Sequence, residues 1–264
     1  MRKELKVALE AVKKAGKLQL QMQSSLGSRI DKGGLDFATK ADVDSQTLIV
    51  EALKEDFPNI PIIAEEDDPQ ITKGKKFWLV DPIDGTGDFA EGGESWGVFV
   101  ALIENGRPSV GVAYQPARNM MLSVEKGSCL LNGAPVDLRY KKPLKHSVIG
   151  TEIGWWCNKS YYKDFLGPLS QQCQGVVSTL SACGSTMRLI EGKMGAYVNL
   201  GVPGQGAKLW DFAVGALAME VLGGYATDPY GNELTWDKIP MQAVLTPSKE
   251  IWERIIALSS QWKY

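Results

Sequence analysis

Leu5, Ala8, Leu9, Val12 and Ala15 recur at three- and four-residue spacing with Lys and Glu between them, which predicts an amphipathic helix packed on a core. A second helix is expected through Leu48, Ile49, Ala52 and Leu53, capped by Asp44 or Ser45 and ended by Pro58. The segment between them, residues 25–44, is polar and rich in turn formers and acids. Short apolar runs at 60–64 and 77–80 predict strands, and each meets acidic residues at its end. Runs at 96–103, 110–114 and 120–124 predict a meander, since Asn105-Gly106 and residues 116–119 supply turn chemistry. After about Lys145 the pattern becomes strands at 148–152 and 175–179, helices between them, and a helix from Asp211 through Val221 stopped by Gly223-Gly224.

Residues 1–145 are therefore expected to form an α+β subdomain and residues 146–264 an α/β subdomain. No repeat or low-complexity linker separates them, so the join near 140–146 should be short and the halves closely packed. A functional site is expected at their seam. The 264 residues suffice to bury a large core.

Composition mainly excludes. With 29 basic and 31 acidic side chains the formal net charge is -2, which offers no electrostatic footprint for a nucleic-acid polymer or an anionic membrane. Cys129, Cys157, Cys173 and Cys183 form no CxxC pair, so they read as reduced thiols and not as a zinc knuckle or redox motif. No run of eighteen apolar residues and no signal-peptide pattern is seen, and the expected compartment is the cytoplasm. His146 is the only histidine and no GxSxG elbow accompanies it, which argues against a serine triad. Gly201 to Lys208 does not satisfy GxxxxGK[ST], and the tryptophans, Trp155-Trp156 included, are not interleaved with basic residues.

The stretch Trp78-Leu-Val-Asp81-Pro-Ile-Asp84-Gly-Thr86 carries the chemistry. A buried strand running into Asp81, with Pro82 and Gly85 forcing a turn that bears Asp84, brings two carboxylates into one small volume. Without a cation, like-charge repulsion and desolvation would make that placement costly, and hard oxygen donors suit Mg²⁺. Glu65, with Glu66 beside it, can add a third ligand from the preceding strand and Asp211 a fourth from a later helix. Such a site can hold two metals about 4 Å apart, one activating a water and one stabilising the leaving oxygen of a phosphate ester. The N–H groups of Gly85 and Thr86, at a helix start, would receive phosphate oxygens.

Asp36-Phe-Ala-Thr-Lys-Ala-Asp42, Ala64-Glu65-Glu66, Asp81-Pro-Ile-Asp-Gly-Thr86 and Trp210-Asp211-Phe-Ala-Val-Gly215, in that order, resemble the signatures of the inositol monophosphatase superfamily over nearly the whole chain. The resemblance implies an α-β-α-β-α layered sandwich shared with fructose-1,6-bisphosphatase, and hydrolysis of a small phosphomonoester with no phosphoenzyme. It implies two or three Mg²⁺ per site: Glu65, Asp81 and the carbonyl of Ile83 on the first, Asp81, Asp84 and Asp211 on the second, Glu65 on a weaker third. Thr86, bonded to Asp42, would orient and deprotonate the attacking water. A homodimer and sensitivity to lithium are also implied.

Inositol phosphate leads among the substrates that the resemblance suggests, ahead of adenosine 3′,5′-bisphosphate and histidinol phosphate. Asp88 stands where inositol monophosphatases tend to have Asn and bisphosphate nucleotidases an acid. Asn199 stands where the family's inositol-contacting Glu is expected, and a Gly-rich loop at 202–209 follows. Ser181 and Gly184 both match the family's leading Gly of a substrate-facing turn, with Ser185 beside them. The rivals are a non-catalytic metal or sugar-phosphate binder, against which Asp42 and Thr86 argue, and a purely structural partner.

Overall fold

The computed structural model describes residues 1–24, 29–33, 36–67, 75–154, 157–201, 207–237, 239 and 241–260. In chain order the elements are α1 (Lys3–Gln23), β1 (Ile30–Gly33), β2 (Asp36–Ala38), α2 (Lys40–Asp56), β3 (Ile62–Ala64), β4 (Lys76–Asp84), α3 (Thr86–Ala90), β5 (Gly97–Glu104), β6 (Arg107–Gln115), β7 (Met120–Glu125), β8 (Ser128–Leu131) and β9 (Ala134–Pro135). After these come β10 (Val148–Gly150), α4 (Gly167–Ser170), β11 (Gly175–Val177), α5 (Ala182–Ile190), β12 (Ala196–Asn199), α6 (Leu209–Leu222), β13 (Tyr225–Thr227), β14 (Ala243–Thr246) and α7 (Lys249–Ser259). Trp155-Trp156 and residues 202–206 lie outside the described residues.

Two sheets organise the chain: a seven-stranded one ordered β3-β4-β5-β6-β7-β8-β9 and a five-stranded one ordered β11-β10-β12-β14-β13. Side chains alternate along each strand, and that alternation builds the layers. Trp78 and Val80 of β4 with Val98, Val100 and Leu102 of β5 face Leu5, Ala8, Val12 and Ala15 of α1 and Ile49 and Leu53 of α2. Phe77, Leu79, Phe99, Ala101 and Ile103 point the other way, onto α5 and α6. Those helices also cover Tyr197, Ala243 and Leu245 of the second sheet. Its outer face is closed by Ile251 and Ile255 of α7 with Tyr161, Phe165 and Leu169. The order is α-β-α-β-α, as expected.

Its position between two sheets explains the sequence of α6, which is apolar all round except at its ends. Close approach is secured by Gly215, where a Cβ would stand 2.8 Å from Leu245 Cδ1. The α1 face behaves as its spacing predicts, with Leu5, Ala8, Val12 and Ala15 all buried.

Several boundaries differ from expectation. Helix α2 starts at Lys40, not near Asp44, because Thr39 and Asp42 form a reciprocal capping box that engages the N-terminal N–H groups first. Strand β4 continues through Asp81 to Asp84, its pairing with β5 interrupted between those residues; Pro82 sits at that irregularity and not in a turn. Strands β10 and β11 each end two residues short of the apolar pattern. The hairpin β8–β9, turning at Asn132-Gly133, extends the meander beyond the strands anticipated.

Candidate metal and phosphate site

The parallel pair β3–β4 brings two chain exits to one edge of the seam. Glu65 follows β3 directly, its N–H donating to the Val80 carbonyl at 3.1 Å. Asp81 and Asp84 lie on the last stretch of β4, and Asp211 enters from the first turn of α6. One carboxylate oxygen from each of Asp81, Asp84 and Asp211 lies within 4.8 Å of the others. Asp81 is buried, and its Oδ1 has no hydrogen-bond partner among the described residues.

Two of the three carboxylates have distinct backbone anchors. Asp211 accepts the Lys208 N–H at 2.7 Å, so it caps α6 while facing the cage. Asp84 accepts the N–H groups of Ala182 at 3.1 Å and Cys183 at 2.7 Å, at the start of α5, and a bond from the Ser181 hydroxyl. Such anchors fix the oxygens but leave like charges facing each other. Burial pushes Asp81 well above the ordinary carboxylate range, and Glu65, Asp84 and Asp211 push it further. Asp211 is raised well above that range by burial, then by Asp84 and Glu65. Asp84 rises to about 7 through burial, against the opposing bonds from Ser181 and Cys183. An unpartnered buried oxygen amid three hard anionic donors fits a divalent oxygen-seeking cation, whose charge would reverse those shifts.

Glu65 stands at the rim beside Asp81, with Lys32 of β1 at 3.5 Å from Glu65 and 2.7 Å from Glu66. The Glu66 N–H donates to Gln46 Oε1 at 2.8 Å, while its carboxylate shares Lys32 with Glu65. Burial raises its carboxyl to about 7 despite Lys32.

Gly85 joins β4 to α3. Its φ of +83° is left-handed, and a Cβ there would meet Ser181 Cβ at 2.8 Å and the Leu180 carbonyl at 3.1 Å, so space and conformation both require glycine. Gly85 and Thr86 open α3, and by position carry N–H groups that the helix itself does not use. Thr86 Oγ1 lies 3.1 Å from Asp42 Oδ1 and 3.2 Å from the Ile83 carbonyl. Its single proton serves one acceptor at a time. Asp42 Oδ2 accepts the Thr39 N–H at 2.7 Å and the Thr39 hydroxyl at 2.5 Å, which leaves Oδ1 for Thr86.

The substrate-turn candidates fall on the opposite wall. Ser181 is the N-cap of α5 and accepts the Gly184 N–H at 2.9 Å, so both candidates for the leading residue lie in the same helix-opening turn. Ser185 donates inward to Glu152 Oε1 at 2.9 Å. Asn199 ends β12, buried, accepting the Gly201 N–H at 3.0 Å. Asp88 accepts the N–H groups of Ser95 at 2.7 Å and Trp96 at 3.2 Å, so its carboxylate closes the turn after α3.

A model of the inositol monophosphatase family matches residues 1–263. The chain belongs to that family. Inositol monophosphatase 1 of Solanum lycopersicum is 29% identical over 265 residues, covering 97% of this chain and 95% of the relative. The Nus factor SuhB of Vibrio cholerae is 29% identical over 236 residues, covering 86% of each. The solved IMPase of Thermotoga maritima superposes with a TM-score of 0.85 at 24% identity, covering 98% of this chain and 97% of that one, which shows the shared fold.

Two features of this family member escaped the sequence reading. Glu152 is buried behind α5, where Ser185 and, at 3.1 Å, Ser178 donate to it. Burial raises its carboxyl, and these hydroxyls oppose the rise. A signal existed, because Val-Ile-Gly-Thr-Glu152 is another apolar run ending in an acid, as at Glu65 and Asp81. Lys32 gave none, since a lone lysine in a polar segment reads as solvated.

Proposed function

We propose that the chain is a Mg²⁺-dependent phosphatase that hydrolyses a small phosphomonoester by attack of an activated water. The observation that carries this reading is the trio of buried Asp81 and Asp84 and half-buried Asp211, one oxygen of each within 4.8 Å of the others and Asp81 Oδ1 without a hydrogen-bond partner among the described residues, next to the Thr86–Asp42 pair.

In this reading Asp81, Asp84 and Asp211 hold the metals with Glu65 and the Ile83 carbonyl. Bound magnesium ions supply Lewis-acid polarisation of the phosphate and acidify a water. When Thr86 donates to Asp42, its oxygen can accept a proton from the attacking water while its own proton passes along that hydrogen bond to the Asp42 carboxylate. Burial already raises Asp42 above the ordinary carboxylate range, which makes it a better acceptor than an exposed aspartate. The N–H groups of Gly85 and Thr86 orient the phosphate. Ser181 and the first amides of α5 hold Asp84 in place, so the second half of the chain supports that carboxylate as well as supplying Asp211. A homodimer, lithium sensitivity and a cytoplasmic location belong to the same proposal; no helix of the described residues is long and apolar enough to cross a membrane.

Phosphate release from inositol 1-phosphate, adenosine 3′,5′-bisphosphate, histidinol phosphate and fructose 1,6-bisphosphate, each with Mg²⁺ and with EDTA, tests the reading. Turnover that needs Mg²⁺ is the expected result. Absence of release from every ester, with magnesium binding intact by calorimetry, would leave a binder in place of an enzyme.

A further inference from the structure

Four non-glycine residues among those described have positive φ. Asn105, Asn119 and Asn132 occupy hairpin turns, where asparagine tolerates the left-handed region. Leu180, at φ +57°, is different: a branched apolar side chain on a backbone that clashes with its own Cβ. It is also 59% exposed, so burial of its side chain does not offset the steric cost.

Its neighbours hold it there. The Leu180 N–H is directed to the buried Glu152 carboxylate, which also accepts from Ser178 and Ser185. On one side Thr179 Oγ1 donates across the residue to the Ser181 carbonyl at 2.6 Å, and on the other Ser181 is fixed as the N-cap of α5. A strained residue that its surroundings over-determine, at the edge of a site, points to a role for the side chain that the strain presents.

The position is specific. The Leu180 carbonyl lies 3.1 Å from where a Cβ on Gly85 would be, and the next residue, Ser181, bonds to Asp84. Leu180 therefore stands at the mouth of the carboxylate cage, beside the start of α3. At the end of β12, Asn199 offers an amide already engaged by Gly201 and no carboxylate for a ring of hydroxyls.

We infer that Leu180 is a specificity-determining residue, contacting the leaving alcohol of the phosphomonoester and favouring alcohols that carry an apolar group over bare polyols. The inference rests on the phosphatase reading and names its substrate class. Benzyl phosphate and glycerol 2-phosphate are both alkyl esters, the first with an apolar ring and the second without, so comparing each variant with wild type on both separates contact from chemistry.

Leu180→Asn and Leu180→Gly, which relax the left-handed backbone, should raise KM for benzyl phosphate about fivefold to tenfold, the worth of partly burying one leucine, and leave glycerol 2-phosphate within about twofold. Their Tm should equal or exceed the wild-type value, because the strain is gone. Leu180→Met should keep the wild-type selectivity. Equal KM changes on both esters, or none on either, would overturn the inference while leaving the phosphatase intact. Lack of wild-type turnover on any ester would instead overturn the phosphatase reading and this inference with it.

Discussion

Two buried acidic regions face each other across the start of α5, and they solve the cost of burial in opposite ways. Glu152 is alone and satisfied: Ser178 and Ser185 hydroxyls donate to it, and hydrogen bonds oppose the effect of burial. Asp81 is crowded, with one oxygen that has no hydrogen-bond partner among the described residues, and Glu65, Asp84 and Asp211 add to the effect of burial. An isolated buried carboxylate ringed by donors is a framework element. Three that confront each other call for a cation, since protonation or a metal are the ways to relieve like charge in a dry site.

The largest effect should come from Asp81→Asn. Phosphate release should fall by about a thousandfold or more, the several kcal/mol that metal-ion catalysis supplies. In EDTA the same variant should melt higher than wild type, because one of three opposed charges is gone; a lower Tm in EDTA would break the comparison. Thr86→Val comes next, with a loss of about a hundredfold, the lower end of general acid–base contributions, and unchanged magnesium affinity by calorimetry. A matched loss of affinity would move Thr86 from proton transfer to metal support.

Saturating Mg²⁺ should stabilise wild type by about 2.7 kcal/mol at a hundred times the dissociation constant, read as a rise in Tm. Asp81→Asn should lose most of that rise and Glu152→Gln keep it. The smallest effect belongs to Glu152→Gln itself. Replacing the acceptor of two hydroxyls by an amide should cost about 1 kcal/mol of stability, roughly 2–4 °C in Tm for a domain of this size, with less than tenfold change in kcat. A collapse of activity in Glu152→Gln would mean that the two regions are not separable.

The residues that meet in the cage were legible because each ends or begins an element with a strong local pattern. Asp81 and Asp84 sit on an apolar strand with Pro and Gly around them, and Asp211 opens an apolar helix. Asp42 was legible by motif, although the start of its helix was misplaced: a capping box commits the chain at Thr39, whereas Asp44 and Ser45 are equally good caps by residue type. The layer order was implied by the resemblance to the family, and the alternation in β4 and β5 is what builds it. What the sequence hid depends on contacts made by the fold, such as the Leu180 backbone, Glu152 behind α5, and Lys32 against Glu65 and Glu66, none of which has a partner nearby in sequence.

Phosphate release from inositol 1-phosphate by wild type, Asp81→Asn and Glu152→Gln, each in Mg²⁺ and in EDTA, is the most direct measurement. The expected outcome is magnesium-dependent turnover in wild type and Glu152→Gln and its loss in Asp81→Asn. Turnover that persists in EDTA, or that survives in Asp81→Asn, would contradict the assignment of the cage as the metal centre.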